Sequence, residues 1–157
     1  MELMIEQATV ADLLAVVAEY ERFWGERDLR RLHQLPLIHE FGQTCLVARR
    51  VARDAVADRA EIVGYVLGFV TPSATGYVHL IATREDARGL GVGRLLHEAF
   101  ARAAQDQGAR RIKAITSVGN TGSVAFHTGI GFAAEVVEDY DGPGQPKVVF
   151  TRELTVH

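Results

Sequence analysis

The chain has a single cysteine, Cys45, among its 157 residues. No internal disulfide can form, and the apolar residues beside Cys45 mark an ordinary buried thiol. No apolar run approaches the roughly 20 residues needed to span a bilayer, and the N-terminus lacks a basic-then-apolar signal. The expectation is a cytoplasmic protein without a membrane partner. Basic charge is not in surplus either. The 17 Lys and Arg against 20 Asp and Glu leave a net charge of −3, with none of the basic stripe that nucleic acid selects. His33, His39, His97 and His157 fall into no metal-ligand grouping, and no serine or cysteine sits in a nucleophile motif. No metal and no covalent enzyme intermediate are expected. Repeats, low-complexity tracts and interdomain linkers are missing as well.

What is present is an ordinary globular composition, 48% hydrophobic and 24% charged. It suits one domain over residues 1–157 with a substantial core. The most informative stretch is Arg88-Gly89-Leu90-Gly91-Val92-Gly93-Arg94. Before it, Tyr77 to Thr83 alternates as a β-strand. After it, Val92, Leu95, Leu96, Ala99, Phe100 and Ala103 recur on one helix face. A glycine-rich turn between strand and helix lets several backbone N–H groups converge on an anion, and the helix start adds unpaired donors and a positive dipole end. Arg84, Arg88 and Arg94 place positive side chains around the same spot. The stretch reads as a phosphate cradle, the alternative being a plain turn with an arginine rim. A Walker loop would need Lys-Ser or Lys-Thr where Arg94-Leu95 stands. A dinucleotide fingerprint would need an acid about 20 residues on at the end of a strand, and Asp106 lies inside the helical pattern instead.

Taken in order, Leu3 to Ala8 alternates as a first strand, and Thr9 with Asp12 forms a capping-box pattern. Leu13, Val16, Val17, Tyr20 and Trp24 follow at helical spacing. A second helix is expected from about Asp28 to Glu40, broken or bent near Pro36. The Phe23-Trp24-Gly25 join carries the only tryptophan, either a core residue or a wall of an acceptor pocket. Thr44 to Val51 and Glu61 to Val70 read as strands, the second apolar almost throughout as if covered on both faces. Ala52 to Ala60 reads as the hairpin loop between them. Gly108 is placed to end the long helix. Arg111 to Val118 is the next strand, Asn120 caps a short helix through Ile130, a strand runs from Gly131 towards Tyr140, and Lys147 to Leu154 closes the chain. This order implies an α/β (α+β) fold with a mixed, mostly antiparallel sheet of six to seven strands packed between helices.

The pattern Arg-x-x-Gly-x-Gly after a strand, with Asn120-Thr121-Gly122-Ser123-Val124-Ala125-Phe126-His127 and Gly131-Phe132 further on, resembles the two signatures of the GCN5-related N-acetyltransferase family. The element order matches that family's acyl-CoA N-acyltransferase fold over nearly the whole chain. The resemblance implies acetyl-CoA as cosubstrate and direct transfer of the acetyl group to a primary amine on a small molecule or peptide. It implies that the backbone of Ile81, Ala82 and Thr83 pairs with the pantetheine amides where two strands splay. Backbone donors of Arg88, Gly89, Leu90, Gly91, Val92, Gly93 and Arg94 then hold the pyrophosphate. Asn120 and Ser123 meet the pantetheine or phosphate side, helix capping alone being their alternative role. Pantetheine is itself a peptide-like amide chain, so an open strand edge suits it. Family members are often dimers, which makes a homodimer an expectation here.

One position departs from the family. Where many members carry a tyrosine assigned as the acid for the leaving thiolate, this chain has His127. It is either the acid in the tyrosine's place or a residue packed beside the cofactor. If His127 has no such role, the runner-up is an acetyl-CoA-binding sensor or partner-binding module with little turnover. For the base, a lysine-like amine of pKa about 10.4 costs about 4.6 kcal/mol to hold neutral at pH 7, whereas a thiol of pKa about 8.5 leaves readily. His79, sharing a strand face with Tyr77 and Ile81, is the candidate base, with a buried hydrogen-bonded histidine as its plain alternative. Glu135 and Tyr140 are weaker candidates for acceptor contact. Backbone N–H groups near Ile81 or Ala82 are candidates to stabilise the oxyanion.

Overall fold

The computed structural model describes residues 2–51 and 60–155. Seven strands form one sheet: β1 (Glu2–Gln7), β2 (Cys45–Val51), β3 (Glu61–Val70), β4 (Thr75–Thr83), β5 (Arg111–Ser117), β6 (Ala133–Val137) and β7 (Lys147–Glu153), in the spatial order β1-β2-β3-β4-β5-β7-β6. All neighbours are antiparallel except β4 and β5. The helices are α1 (Val10–Ala18), α2 (Tyr20–Trp24), α3 (Leu35–Glu40), α4 (Val92–Asp106) and α5 (Thr121–Gly129). This is the mixed, mostly antiparallel sheet between helices that the element order implied. The expected loop at residues 52–59 lies outside the described residues.

Period-two alternation divides β2, and β3 from Gly64 onward, between two cores, and a register shift that leaves Val63 unpaired puts it in the same core as Val66. Leu46, Ala48, Val63 and Val66 pack with α4 residues Val92, Leu96, Phe100 and Ala104. Cys45, Val47, Tyr65 and Leu67 pack on the other face with Leu13 and Val16 of α1, Phe23 of α2 and Leu37 and Ile38 of α3. Cys45 is fully buried, with its thiol pushed up by that burial. Thr9 and Asp12 make the capping box in both directions, and Arg49 adds an ion pair to Asp12 at 2.5 Å. At the far end of α4, Gly108 takes φ +91. Its N–H and that of Ala109 return to Gln105 and Ala104, closing the helix as glycine after a C-cap does.

Three expectations change. The first helical pattern divides at Glu19, whose φ −110, ψ 29 is not helical, giving α1 and α2. The span 28–40 becomes a 3₁₀ turn at Arg30–Leu32 followed by α3. There Pro36 sits in the first turn, where its missing N–H costs nothing, so it starts a helix rather than bending one. On α4, Leu95 faces solvent and His97 takes an inward position.

Helix α4 lies close on the sheet because β3 and β4 present glycine beneath it. A Cβ on Gly68 would stand 2.4 Å from Phe100 Cε2 and 2.5 Å from the Tyr77 carbonyl oxygen. Because one obstacle is backbone, the clash cannot be relieved by a rotamer change. Gly68→Ala is expected to lose about 1–3 kcal/mol through overpacking, read as a lower urea midpoint with unchanged slope. An unchanged midpoint would mean that α4 has room to rise.

A candidate active site where two strands part

Strands β4 and β5 pair in parallel only from Thr75↔Arg111 to Val78↔Ala114. The cause of their parting lies on β4's other side. Leu67 pairs with Leu80 but Gly68 with Val78, leaving His79 as an extra residue opposite β3. Such a bulge bends its strand and re-aims a side chain. Past it, β4 follows β3 to Gly64↔Thr83 while its inner edge has no strand partner. A cleft of about 290 Å³ opens there, bordered by Tyr77, His79 and Ile81 on β4 and by Thr116, Asn120 and Ser123 opposite. Ala82 and Thr83 continue the open strand beyond the cleft lining.

His79 is half-buried, with Nε2 3.0 Å from the Leu32 carbonyl oxygen. Nε2 therefore carries the proton and donates it to that oxygen, leaving the Nδ1 lone pair available. Tyr77 is raised to about 12, first by burial and then by Tyr140, which follows β6. Glu135 is exposed on β6 opposite Val149 and does not line the cleft.

The glycine loop has the backbone of an anion cradle. Gly89 and Gly91 take φ +81 and +82, and a Cβ on either would meet nothing within 4 Å. Among the described residues, no acceptor takes up the N–H groups of residues 88–94. Those donors and the open space above them fit a pyrophosphate. Gly93 serves a second purpose, since a Cβ there would stand 3.0 Å from Phe126 Cζ of α5. The arginines divide. Arg88 and Arg94 are exposed on the loop, with Arg88 reaching the Phe23 carbonyl at 3.4 Å and Arg94 3.7 Å from Glu98. Arg84 departs from its expected place beside the anion. It is buried, and its guanidinium is taken up by Asp86 at 2.6 Å and Glu61 at 3.0 Å. Arg84 holds the Asp86 carboxyl down to about 2, so it fastens the turn ahead of the loop to β3.

Asn120 caps α5. Its Oδ1 accepts from the Ser123 N–H at 3.2 Å and its Nδ2 donates to Thr116 Oγ1 at 3.0 Å, tying the helix start to β5. His127 borders the cleft from α5 but does not offer it a proton. Nδ1 donates to the Ser123 carbonyl at 2.8 Å, and Nε2 is buried without a partner. The ring stacks on Phe150 at 4.1 Å and meets His97 edge-on at 5.2 Å. Burial lowers its pKa, favouring the neutral ring, whose one N–H is already committed to backbone. Of the two roles expected of His127, acid or packing residue, this arrangement favours packing. His97, equally enclosed, is lowered to about 3 by burial and then by His127 and Arg152.

Trp24, one of whose expected places was a pocket wall, lines the cleft from the opposite side, and the relay behind it is the part that sequence reading missed. Trp24 Nε1 donates to the Tyr65 hydroxyl at 2.5 Å, Tyr65 lies 2.6 Å from His33 Nε2, and His33 Nδ1 lies 2.9 Å from the Leu29 carbonyl. The consistent assignment has Nδ1–H donating to Leu29 and Tyr65 donating to Nε2. The only available signal was a lone hydroxyl, Tyr65, inside an apolar strand, which needs partners.

The sequence profile of the acetyltransferase (GNAT) family matches residues 13–132. Solved structures agree in fold. Ard1 from Thermoplasma volcanium superposes with a TM-score of 0.76 at 20% identity, over 99% of this chain and 100% of its own. The ribosomal-protein-alanine N-acetyltransferase of Brucella melitensis gives 0.67 at 24%, over 96% and 99%. The yncA protein of Salmonella typhimurium, solved with its cofactor acetyl-CoA, gives 0.68 at 18%, over 99% and 95%. A seven-stranded sheet with this splay and loop defines the acyl-CoA N-acyltransferase fold, and the chain belongs to the GNAT acetyltransferase family. Acetyl transfer from acetyl-CoA is the reaction of that family.

Two outcomes follow from the site's construction. In Gly91→Val, a β-branched residue must hold φ +82 and project into the space over the donors. Coenzyme A affinity is expected to fall at least tenfold, by calorimetric titration of the folded variant, and unchanged affinity would place the cradle elsewhere. His97 binds its proton at about 3 when folded and about 6.5 when unfolded. Between those values the unfolded chain holds more protons, so stability falls as pH drops through that window. The urea midpoint of His97→Leu should fall less steeply from pH 6.5 to 4 than that of the native chain. Parallel slopes would remove His97 as a source of acid sensitivity.

Proposed function

We propose that this protein is an N-acetyltransferase that moves the acetyl group of acetyl-CoA directly to a primary amine. The observation that carries this reading is the open inner edge of β4, which runs from a histidine-bearing cleft towards the unpartnered donors of the glycine loop. The backbone of Ile81, Ala82 and Thr83 holds the pantetheine arm as an added strand. The N–H groups of Arg88 to Arg94 hold the pyrophosphate, and Asn120 and Ser123 line the arm's far side. His79 Nδ1 takes the amine proton, directly or through one water, while Leu32 holds the ring in the required tautomer. The likeness in fold to a structure solved with acetyl-CoA and to one named for amine acetylation supports the reading.

His127 then positions α5 against Phe150, and the thiolate takes its proton from solvent or from Tyr140. A binding module with little turnover is the second reading, favoured by the commitment of the His127 N–H to backbone. Both readings expect saturating acetyl-CoA to raise the melting temperature, since a ligand at 100 times its dissociation constant adds about 2.7 kcal/mol. Only the first expects thiol release dependent on an amine.

Single-turnover transfer across pH 6 to 9 separates the residues. His79→Gln should lower the rate at pH 7 by about 10²-fold, within the range for a lost general base. The deficit should shrink towards pH 9, where more of the amine is already neutral. An unaltered rate and profile would exclude His79 as the base. His127→Phe should stay within a few-fold of the native rate throughout, and a collapse confined to high pH would restore it as an acid.

A further inference from the structure

We infer that the amine accepted at this cleft belongs to a molecule that also carries a carboxylate, as a free amino acid or an acidic peptide terminus does. The inference rests on the acetyl-transfer reading and adds the acceptor's charge to it. Among the described residues the cleft lining contains two cations, Arg27 and Lys147, and neither aspartate nor glutamate.

Arg27 is exposed, and its backbone is held in place. Its carbonyl accepts from the hydroxyl of buried Tyr20, and its guanidinium lies 5.7 Å from the centroid of the Trp24 ring. Trp24 is in turn fixed through its indole N–H to Tyr65. No carboxylate among the described residues pairs with Arg27. Lys147 stands on the other side of the cleft, at the start of β7 opposite Ser117. Its Nζ is 3.6 Å from Asp141, which is half-exposed and outside the lining, so that charge is met only in part.

A guanidinium held over an aromatic face and open to a cleft is suited to a bidentate carboxylate partner. A polyamine or a lysine-rich segment would instead bring further ammonium groups towards Arg27 and Lys147 with no carboxylate to receive them. The same two cations disfavour the acceptor's own ammonium form, which lightens the demand on His79. Leu29, Leu32 and Trp24 supply an apolar wall beside them, so the molecule's body between amine and carboxylate side is accommodated without further charge.

The test compares acceptors that differ only in the carboxylate: lysine against cadaverine, phenylalanine against phenethylamine, and peptides beginning Glu-Ala against Gln-Ala. The measurement is kcat/KM at saturating acetyl-CoA. The carboxylate-bearing member of at least one pair should be preferred about tenfold or more, about 1.4 kcal/mol. That preference should shrink severalfold in Arg27→Gln and vanish in the double variant Arg27→Gln, Lys147→Gln. The acetyl-CoA melting shift should persist in both variants. Preference within the free amino acids identifies a small acceptor, and preference confined to the Glu-Ala peptide identifies a chain terminus; either supports the inference. Equal or better use of the decarboxylated amines, or a preference untouched in the double variant, would overturn it while leaving acetyl transfer standing. Failure to acetylate any of the amines, with the melting shift intact, would overturn the acetyl-transfer reading and this inference together.

Discussion

The separation of β4 from β5 is the constraint on which the site depends. A continuous sheet would satisfy the backbone donors and acceptors of both strands and leave no edge for a ligand. The extra residue at His79 ends that continuity, because it changes the register with β3 while the parallel pairing with β5 stops at Val78 and Ala114. One bulge thus opens the edge and turns the candidate base into the opening. Chemistry and binding surface share a single backbone irregularity.

Around that opening the chain spends polar groups on rigidity. Arg84 is withdrawn from solvent to hold Asp86 and Glu61, which fixes the approach to the glycine loop. A buried pair whose partner were removed would leave an uncompensated charge, so the network makes the loop's entry a fixed structure. Helix α4 is set on β3 and β4 by glycine at 64, 68 and 76, where any side chain would meet Val92, Phe100 or Ile112. The donors at the head of α4 are therefore held in register with the strand edge by packing along the helix's length.

The glycine loop and the start of α5 were legible in the sequence, because their parts are local. Gly89, Gly91 and Gly93 lie between one strand and one helix, and Asn120 to His127 is a single short helix. The order of elements and most of their bounds followed from periodicity for the same reason. Orientation was less readable. Arg84 and Arg88 look alike on paper, and only burial beside Glu61 separates a structural guanidinium from an exposed one. His127 occupies a signature position, yet its chemistry is decided by Phe150 and His97 from other elements. The relay beside the cleft was the least legible, since Trp24, His33 and Tyr65 come from three separate segments and belong to no motif.

That relay also has a place in the order of assembly. Tyr65 joins Trp24 and His33 across 41 and 32 residues of sequence, and contacts of such separation form only after the loop closures between them have been made. The segment between α2 and α3 can therefore take up its shape only once β3 is in the sheet. The converse holds on opening. Releasing the hydroxyl of Tyr65 would loosen the segment between α2 and α3 as a unit of lower local stability, while the glycine loop and α4, anchored through the other core, would keep their form. The two sides of the cleft thus rest on different cores, one closed by contacts distant in sequence and the other by a helix packed along its length.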